Sequence, residues 1–290
     1  MLEECCVCPR RCGVNRLAGE SGKCHITNEV MVSSYGPHFG EEAPLVGGHG
    51  SGTIFFTYCN LRCIFCQNYT ISQLGEGTVV RREGLAKMML DLQAKGCNNI
   101  NLVSPTHVVP HILDALELAA SMGLHLPLVY NSGGYDSLEA LKLLDGIVDI
   151  YMPDMKYSDD DIAEQLSGIK NYSEVNKAAV KEMHRQVGDL EIDERGIAKW
   201  GLLIRHLVLP YGFAGTREVV RFLAREVSAN TYLNVMAQYH PCYKAFDMPK
   251  LSRSISQQEF SEAIELAHRH RLNRLDKYQS TSPLKLILRY

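Results

Sequence analysis

A chain of 290 residues, 46% apolar and with a formal net charge of −3, has the composition of a folded protein with one large core or two modest ones. The mild acidity argues against a nucleic-acid or membrane-surface partner, and no apolar run reaches the roughly eighteen residues a membrane helix needs. The start, Met1-Leu2-Glu3-Glu4-Cys5, lacks the basic and apolar regions of an export signal, so the expected compartment is the cytoplasm. In that reducing setting, clustered cysteines read as metal or cluster ligands rather than disulfides. Eight of the ten cysteines fall within the first 66 residues.

Residues 1–50 are rich in Cys, Gly and Pro and poor in periodic apolar runs. Cys5, Cys8, Cys12 and Cys24 form a candidate four-ligand metal set, with Cys6 as a spare. A segment so short on apolar material does not build its own core, and a bound metal is the expected support. Spacing leaves zinc and an iron–sulfur cluster equally open. Gly47-Gly48-His49-Gly50-Ser51-Gly52 then reads as a linker or a loop into the first strand.

That strand is expected at 53–58. Directly after it comes Cys59-Asn60-Leu61-Arg62-Cys63-Ile64-Phe65-Cys66. Three thiolates at C-x3-C-x2-C spacing on one short loop suit a [4Fe–4S] cluster that keeps one iron free of protein ligands, since such a cluster otherwise takes four cysteines. A zinc loop or three buried thiols is the plainer alternative.

Further short apolar runs predict strands at 99–104, 126–130, 146–152, 201–209 and 231–237, nearly continuous in apolar character as in a parallel sheet covered by helices. Helices are expected at 83–95, 108–122, 137–144, 173–187 and 216–228, the first two stopped by Gly96 and Gly123. A last helix at 257–270 opens with a capping box of Ser256 and Glu259. The longest gap, between the fourth and fifth strands, holds two helical segments and the acidic stretch 189–195, and predicts an insertion or extended crossover. Six βα units predict an α/β fold, a partial (β/α)6 barrel of parallel strands with an N-terminal Cys-rich extension. The expected domain plan is 1–50 Cys-rich segment, 51–270 barrel and 271–290 tail. The tail, basic and then apolar over 284–288, either packs on the barrel or adds an edge strand.

Ligands of parallel α/β folds sit beyond the carboxyl ends of the strands. There the chain places Ser104-Pro105-Thr106-His107, Asn131-Ser132, Asp154 with Lys156, Arg205 and His240. An arginine within an apolar strand needs a partner or a ligand. Asp154 and Lys156 also read as a surface ion pair, Asn131 and Ser132 as turn residues, Thr106 as a helix cap, and His240 as structural.

The cysteine loop, with Gln67-Asn68 after it, resembles the activating-enzyme branch of the radical S-adenosylmethionine (SAM) superfamily, the branch of the pyruvate formate-lyase activating enzyme. The likeness spans about 52–241, and the four-cysteine start with Ser-Pro-Thr-His resembles a poorly characterised division of it. The resemblance implies that Cys59, Cys63 and Cys66 hold a [4Fe–4S] cluster and that SAM chelates its open iron. One electron would then cleave SAM to methionine and a 5′-deoxyadenosyl radical, which abstracts hydrogen from the substrate. It implies further that Asp154 and Lys156 lie near the SAM carboxylate, that Arg205 grips it, and that Asn131 or Ser132 meets the ribose. His240 matches a histidine at the sixth strand end. The family's Gly-Gly-Glu at the second strand end is replaced by Ser104–His107, where Ser104 or Thr106 would take the SAM ammonium and His107 could face substrate. The implied partners are a protein or peptide substrate, such as a glycyl radical enzyme, and an electron donor such as flavodoxin or ferredoxin. Alternatives are a radical enzyme acting on a small molecule or nucleotide, and a cysteine-rich metal-binding or electron-transfer module without SAM chemistry. The extra cysteines precede the barrel, whereas the activating enzymes often carry theirs after the radical loop.

Overall fold

The computed structural model describes residues 1–276. A strand β1 (Val30–His38) and a one-turn helix α1 (Ala43–Val46) lead into β2 (Ser51–Phe56), α2 (Tyr69–Ser72), β3 (Thr78–Val80) and α3 (Arg82–Ala94). There follow β4 (Ile100–Val103), α4 (Val109–Ser121), β5 (Leu128–Ser132), α5 (Leu138–Leu143) and β6 (Ile150–Pro153). The long crossover holds α6 (Asp160–Ser167), α7 (Tyr172–Val187) and β7 (Glu191–Ile192) before β8 (Ala198–Leu207), α8 (Thr216–Phe222), β9 (Tyr232–Met236) and α9 (Gln257–Arg269).

The six expected strands are β2, β4, β5, β6, β8 and β9, paired in that order and all parallel. They make an open, partial barrel. The helix expected over 216–228 is α-helical only to Phe222 and finishes as a π-turn, Leu223–Val227. The capping box forms as predicted, Ser256 accepting from the Glu259 amide. The crossover's acidic stretch becomes β7, antiparallel to β8.

Residues 30–38, inside the expected Cys-rich segment, form a strand of the same sheet. β1 pairs antiparallel with β2 and with β3, so the sheet crosses residue 50. Its sequence hides this, because only Val30 and Val32 are buried and Gly36-Pro37 interrupts the run. Pro37 is tolerated because β3 pairs only with Val30–Val32, so on that side of the strand nothing needs its missing N–H. At the other edge, the tail begins to run along β9. Leu233 donates to the Arg274 carbonyl at 2.9 Å and accepts from the Asp276 amide at 3.1 Å. The apolar stretch 284–288 lies outside the described residues.

Alternate residues of the strands face the helices and the barrel interior. Outward, Ile54, Ile100, Leu102 and Leu128 pack on α3 and α4. Tyr130, Tyr151, Leu202, Ile204, Leu233 and Val235 pack under α5, α7, α8 and α9. The inward set is layered. Val129, Ile150, Met152, Leu203 and Tyr232 make an apolar floor closed by Leu45 of α1. The plug is fastened by Asn98 and Asn99, whose side-chain amides donate to the Val46 and Leu45 carbonyls at 2.6 and 2.9 Å. Nearer the carboxyl ends the buried inward positions turn polar, with Asn101, Asn131, Asp154 and Asn234, and Arg205 joins them.

Candidate functional site

The loop after β2 is fixed from both sides. Arg62 and Ile64 donate backbone hydrogen bonds to Ser167 and Leu166 at the end of α6, at 3.3 and 2.9 Å. The Asn60 side chain donates to the Tyr135 carbonyl at 2.7 Å, and the Asn60 carbonyl accepts from Arg10 at 2.5 Å. Phe65 sits in an aromatic collar, edge-on to Tyr157 and Tyr239 with centroids 6.4 and 5.9 Å away. Tyr58, just before Cys59, has φ +65°, an uncommon left-handed conformation that turns the chain sharply out of the strand.

Cys63 is buried, and Cys59 and Cys66 are half-buried, all three as free thiols. Burial, reinforced by the neighbouring cysteines, pushes the Cys59 thiol up to about 12 and raises Cys66 as well. Such thiols stay protonated at neutral pH until a metal cation takes the proton's place. Each sulfur already has a polar neighbour. Ser167 donates to Cys63 Sγ at 3.0 Å, Ser72 lies 3.1 Å from Cys66 Sγ, and the Leu61 amide points at Cys59 Sγ at 3.4 Å. Lys156 adds positive charge close to all three.

Across the mouth, β6 and β8 bring together Asp154, Lys156 and Arg205. Asp154 accepts from Lys156 Nζ at 2.5 Å and from Arg205 Nε at 2.9 Å, one cation on each oxygen. Burial alone would raise the Asp154 carboxyl, but Arg205 and Lys156 outweigh it and hold it below the ordinary carboxylate range. The pair is a buried cluster rather than a surface ion pair, since Asp154 is 9% and Lys156 18% exposed at the side chain. Arg205 also approaches Glu41 Oε2 at 4.0 Å. Two cations against a carboxylate already split between them leave positive charge available to an anionic ligand. Gly133 and Gly134 allow the β5 end to reach this cluster. A Cβ on Gly134, at φ +73°, would collide with the Asp154 carbonyl and the Asn176 amide.

The other expected residues are placed as follows. Asn131 is buried on the inward face of β5. The Ser132 and Thr106 hydroxyls both donate to Asp136, at 2.7 and 2.6 Å, and Tyr130 joins them at 2.9 Å. Both are therefore held in a buried network around an aspartate that went unnoticed in the sequence. Thr106 does not cap α4, whose N-cap is Val108. Ser104 has φ +57°, a second strained residue at a strand end. His107 is fully buried, its ring 3.0 Å from the Thr57 carbonyl, and burial lowers it to about 4, so it is neutral at pH 7. His240 is exposed and reaches Gln67, just after Cys66, at 3.2 Å.

Sequence reasoning also missed Glu41 and Glu42. They stand between β1 and the plug helix, inside the barrel. Glu42 accepts from Asn234 at 2.9 Å, and burial with its acidic neighbour raises Glu41 to about 7. The second Glu42 oxygen and the Asn101 amide are buried against Glu41, whose carboxyl both influence by hydrogen bonding. Polar atoms buried together in this way are costly to leave incompletely paired. Their signal in the sequence was faint, an acidic pair beside Ala43-Pro44-Leu45-Val46 in a stretch without periodicity.

Comparison with known proteins agrees with this geometry. Residues 53–190 match the radical SAM superfamily model. The chain is 34% identical over 283 residues to "Uncharacterized protein MJ0674" of Methanocaldococcus jannaschii, covering 94% of this chain and 77% of the relative. The chain belongs to the radical SAM superfamily. A pyruvate formate-lyase-activating enzyme of Clostridium pasteurianum is a more distant relative, 26% identical over 197 residues, covering 64% of this chain and 74% of that one. The fold is also that of a radical SAM methyltransferase from Sphaerobacter thermophilus, with TM-score 0.51 at 14% identity over 75% of this chain. The chain spans 63% of that solved structure's length.

Superfamily membership implies a [4Fe–4S] cluster and SAM, and the residues fit both. Three free thiols on one loop, without a fourth from that loop, suit a cluster with an open iron. The two cations at Asp154 suit the carboxylate end of SAM. Among the described residues, no helix is long and apolar enough to cross a membrane.

Proposed function

We propose that this protein cleaves SAM reductively at a cluster held by Cys59, Cys63 and Cys66 and uses the radical to abstract hydrogen from a protein or peptide. The observation that carries the reading is the three-thiol loop facing the Lys156–Asp154–Arg205 cluster across one barrel mouth. Bound there, the cluster would supply the single electron that breaks the SAM sulfonium bond. Lys156 and Arg205 would bind the SAM carboxylate, Arg205 through its planar fork, while Asp154 keeps both cations in register. Asn131 would meet the ribose, with Ser132 and Thr106 shaping the wall through Asp136. The Phe65, Tyr157 and Tyr239 collar keeps water from the loop. His240, through Gln67, would steady the loop at the substrate side. A flavodoxin or ferredoxin in the cytoplasm would donate the electron.

A protein substrate, a glycyl radical enzyme included, draws support from the Clostridium relative. A second reading, a small polar substrate, is favoured by the buried polar layer of Glu41, Glu42, Asn101 and Asn234 below the mouth. Anaerobic reconstitution followed by dithionite tests the chemistry. Wild type should release 5′-deoxyadenosine, and Cys63→Ala should release none; cleavage by the variant, or none by the loaded wild type, overturns the proposal. Adding deuterated cell extract, split by size, then separates the two substrates. Deuterium reaching 5′-deoxyadenosine from the macromolecular fraction supports the protein reading, and from the small-molecule fraction the other.

A further inference from the structure

The cysteines of the N-terminal segment are not used by the radical site. Cys5, Cys8 and Cys24 are buried and Cys12 is half-buried, and none is in a disulfide. The backbone folds into a tight knuckle around them. Cys5 donates to the Val14 carbonyl at 2.9 Å, Gly13 donates back to Cys5 at 3.0 Å, and Arg11 donates to Cys8 at 3.1 Å. Arg11 and Gly13 take positive φ to do so. Cys24 returns from the far side of the segment. Gly22, two residues earlier, sits against Cys12, where a Cβ would come within 2.8 Å of its Sγ. The four thiols influence one another electrostatically, as expected of groups that share a site.

A second observation points to an anionic occupant. Arg16 is 99% buried by its exposure of 1%, among the largest fully buried side chains described. It donates to the Thr27 and His107 carbonyls at 2.7 and 2.8 Å, while its third nitrogen, Nη2, has no partner. No carboxylate forms an ion pair with it among the described residues, and Cys24 lies close enough to feel its charge. A buried guanidinium without a counter-charge is expensive. Thiolates around a metal centre supply that charge.

Four cysteine thiols gathered beside one unpaired buried cation are the ligand set of an anionic thiolate-bound centre. Both a zinc ion and an iron–sulfur cluster accept such a set, and the presence or absence of sulfide tells them apart.

We propose that Cys5, Cys8, Cys12 and Cys24 hold a second iron–sulfur cluster, with every iron protein-bound, and that this cluster pins the N-terminal segment against the radical site. With no open iron it takes no SAM. Its position matters because the segment it folds contacts the residues around the radical site. Arg10 holds the Asn60 carbonyl beside Cys59, Arg16 holds the His107 carbonyl, and the Val7 carbonyl accepts from Ser137 at 2.9 Å. The site stands independently of SAM cleavage, so its test does not rely on activity.

The Cys59→Ala/Cys63→Ala/Cys66→Ala variant of the full chain, reconstituted anaerobically, should keep about four irons and about four sulfides per chain. Its reduced paramagnetic signal should not change when SAM is added. Zinc without sulfide, or no metal at all, overturns the cluster. Cys8→Ser/Cys12→Ser in the otherwise intact chain should lose that second cluster and speed amide hydrogen exchange in residues 1–28 and around Asn60 and His107. Unchanged exchange there overturns the pinning role. If that variant does not fold, Arg16→Gln replaces it. It keeps all four ligands, and the second cluster's potential should become more negative as its buried cation is lost; an unmoved potential removes Arg16 from the site.

Discussion

Glu41 shows how far a single side chain can depart from what its position in the sequence suggests. In an aperiodic stretch it reads as solvated, yet it lies in the barrel beside Arg205 and Glu42 with its carboxyl raised from 4.5 to about 7 by burial and then by its acidic neighbour. Between those values it is protonated in the fold and ionised in the unfolded chain. The folded state then binds the extra proton, so its contribution falls as pH rises through that window, by up to about 1.4 kcal/mol per pH unit. His107 and His206, both lowered by burial to about 4, pull the other way, since stability they contribute is present at neutral pH and lost on acidification. The difference between wild type and Glu41→Gln isolates the carboxyl. Urea midpoints should show wild type losing ground to the variant between pH 5 and pH 7, and parallel curves would refute the assignment. Cys59, Cys63 and Cys66, by contrast, stand out by their spacing alone, because three cysteines on one short loop are a local property of the sequence.

At the scale of elements, periodicity located the six barrel strands within a few residues, since each carries an apolar set that only a covered parallel sheet can bury. It could not show that α6 ends on the cysteine loop. Ser167, the last residue of that helix, donates to Cys63 Sγ at 3.0 Å, and hydrogen bonds to cluster sulfurs raise reduction potential. Ser167→Ala should therefore make the loop cluster's potential more negative in a spectroscopic redox titration. No change, or a shift to more positive values, would show that the bond does not tune the cluster. β1 escaped notice for the opposite reason. Half exposed and broken by Gly36-Pro37, it is a strand because β2 and β3 pair with it, not because its own residues demand it.

For the whole molecule, the decisive feature is the plug. Leu45, fully buried, closes the apolar floor made by residues from four strands, and the segment that carries it also delivers Glu41 and Glu42 to the layer above. Leu45→Ala should open a cavity there and cost about 2–5 kcal/mol, read as a fall in the denaturation midpoint of the metal-free protein. A midpoint within error of wild type would mean that the floor closes without it. The sequence by itself determined the radical SAM class, the three-cysteine loop, the parallel strands and the polar residues at their ends, because each is encoded by neighbours a few positions apart. Only the tertiary structure decided which of those residues share a mouth. Burial and partner geometry set Asp154 between two cations, tied Ser132 and Thr106 to Asp136, and carried an acidic pair from an irregular segment into the barrel. Contacts such as Asp154 with Arg205, 51 positions apart, and Glu42 with Asn234, 192 apart, leave no periodic trace in the chain, so only the fold reveals them.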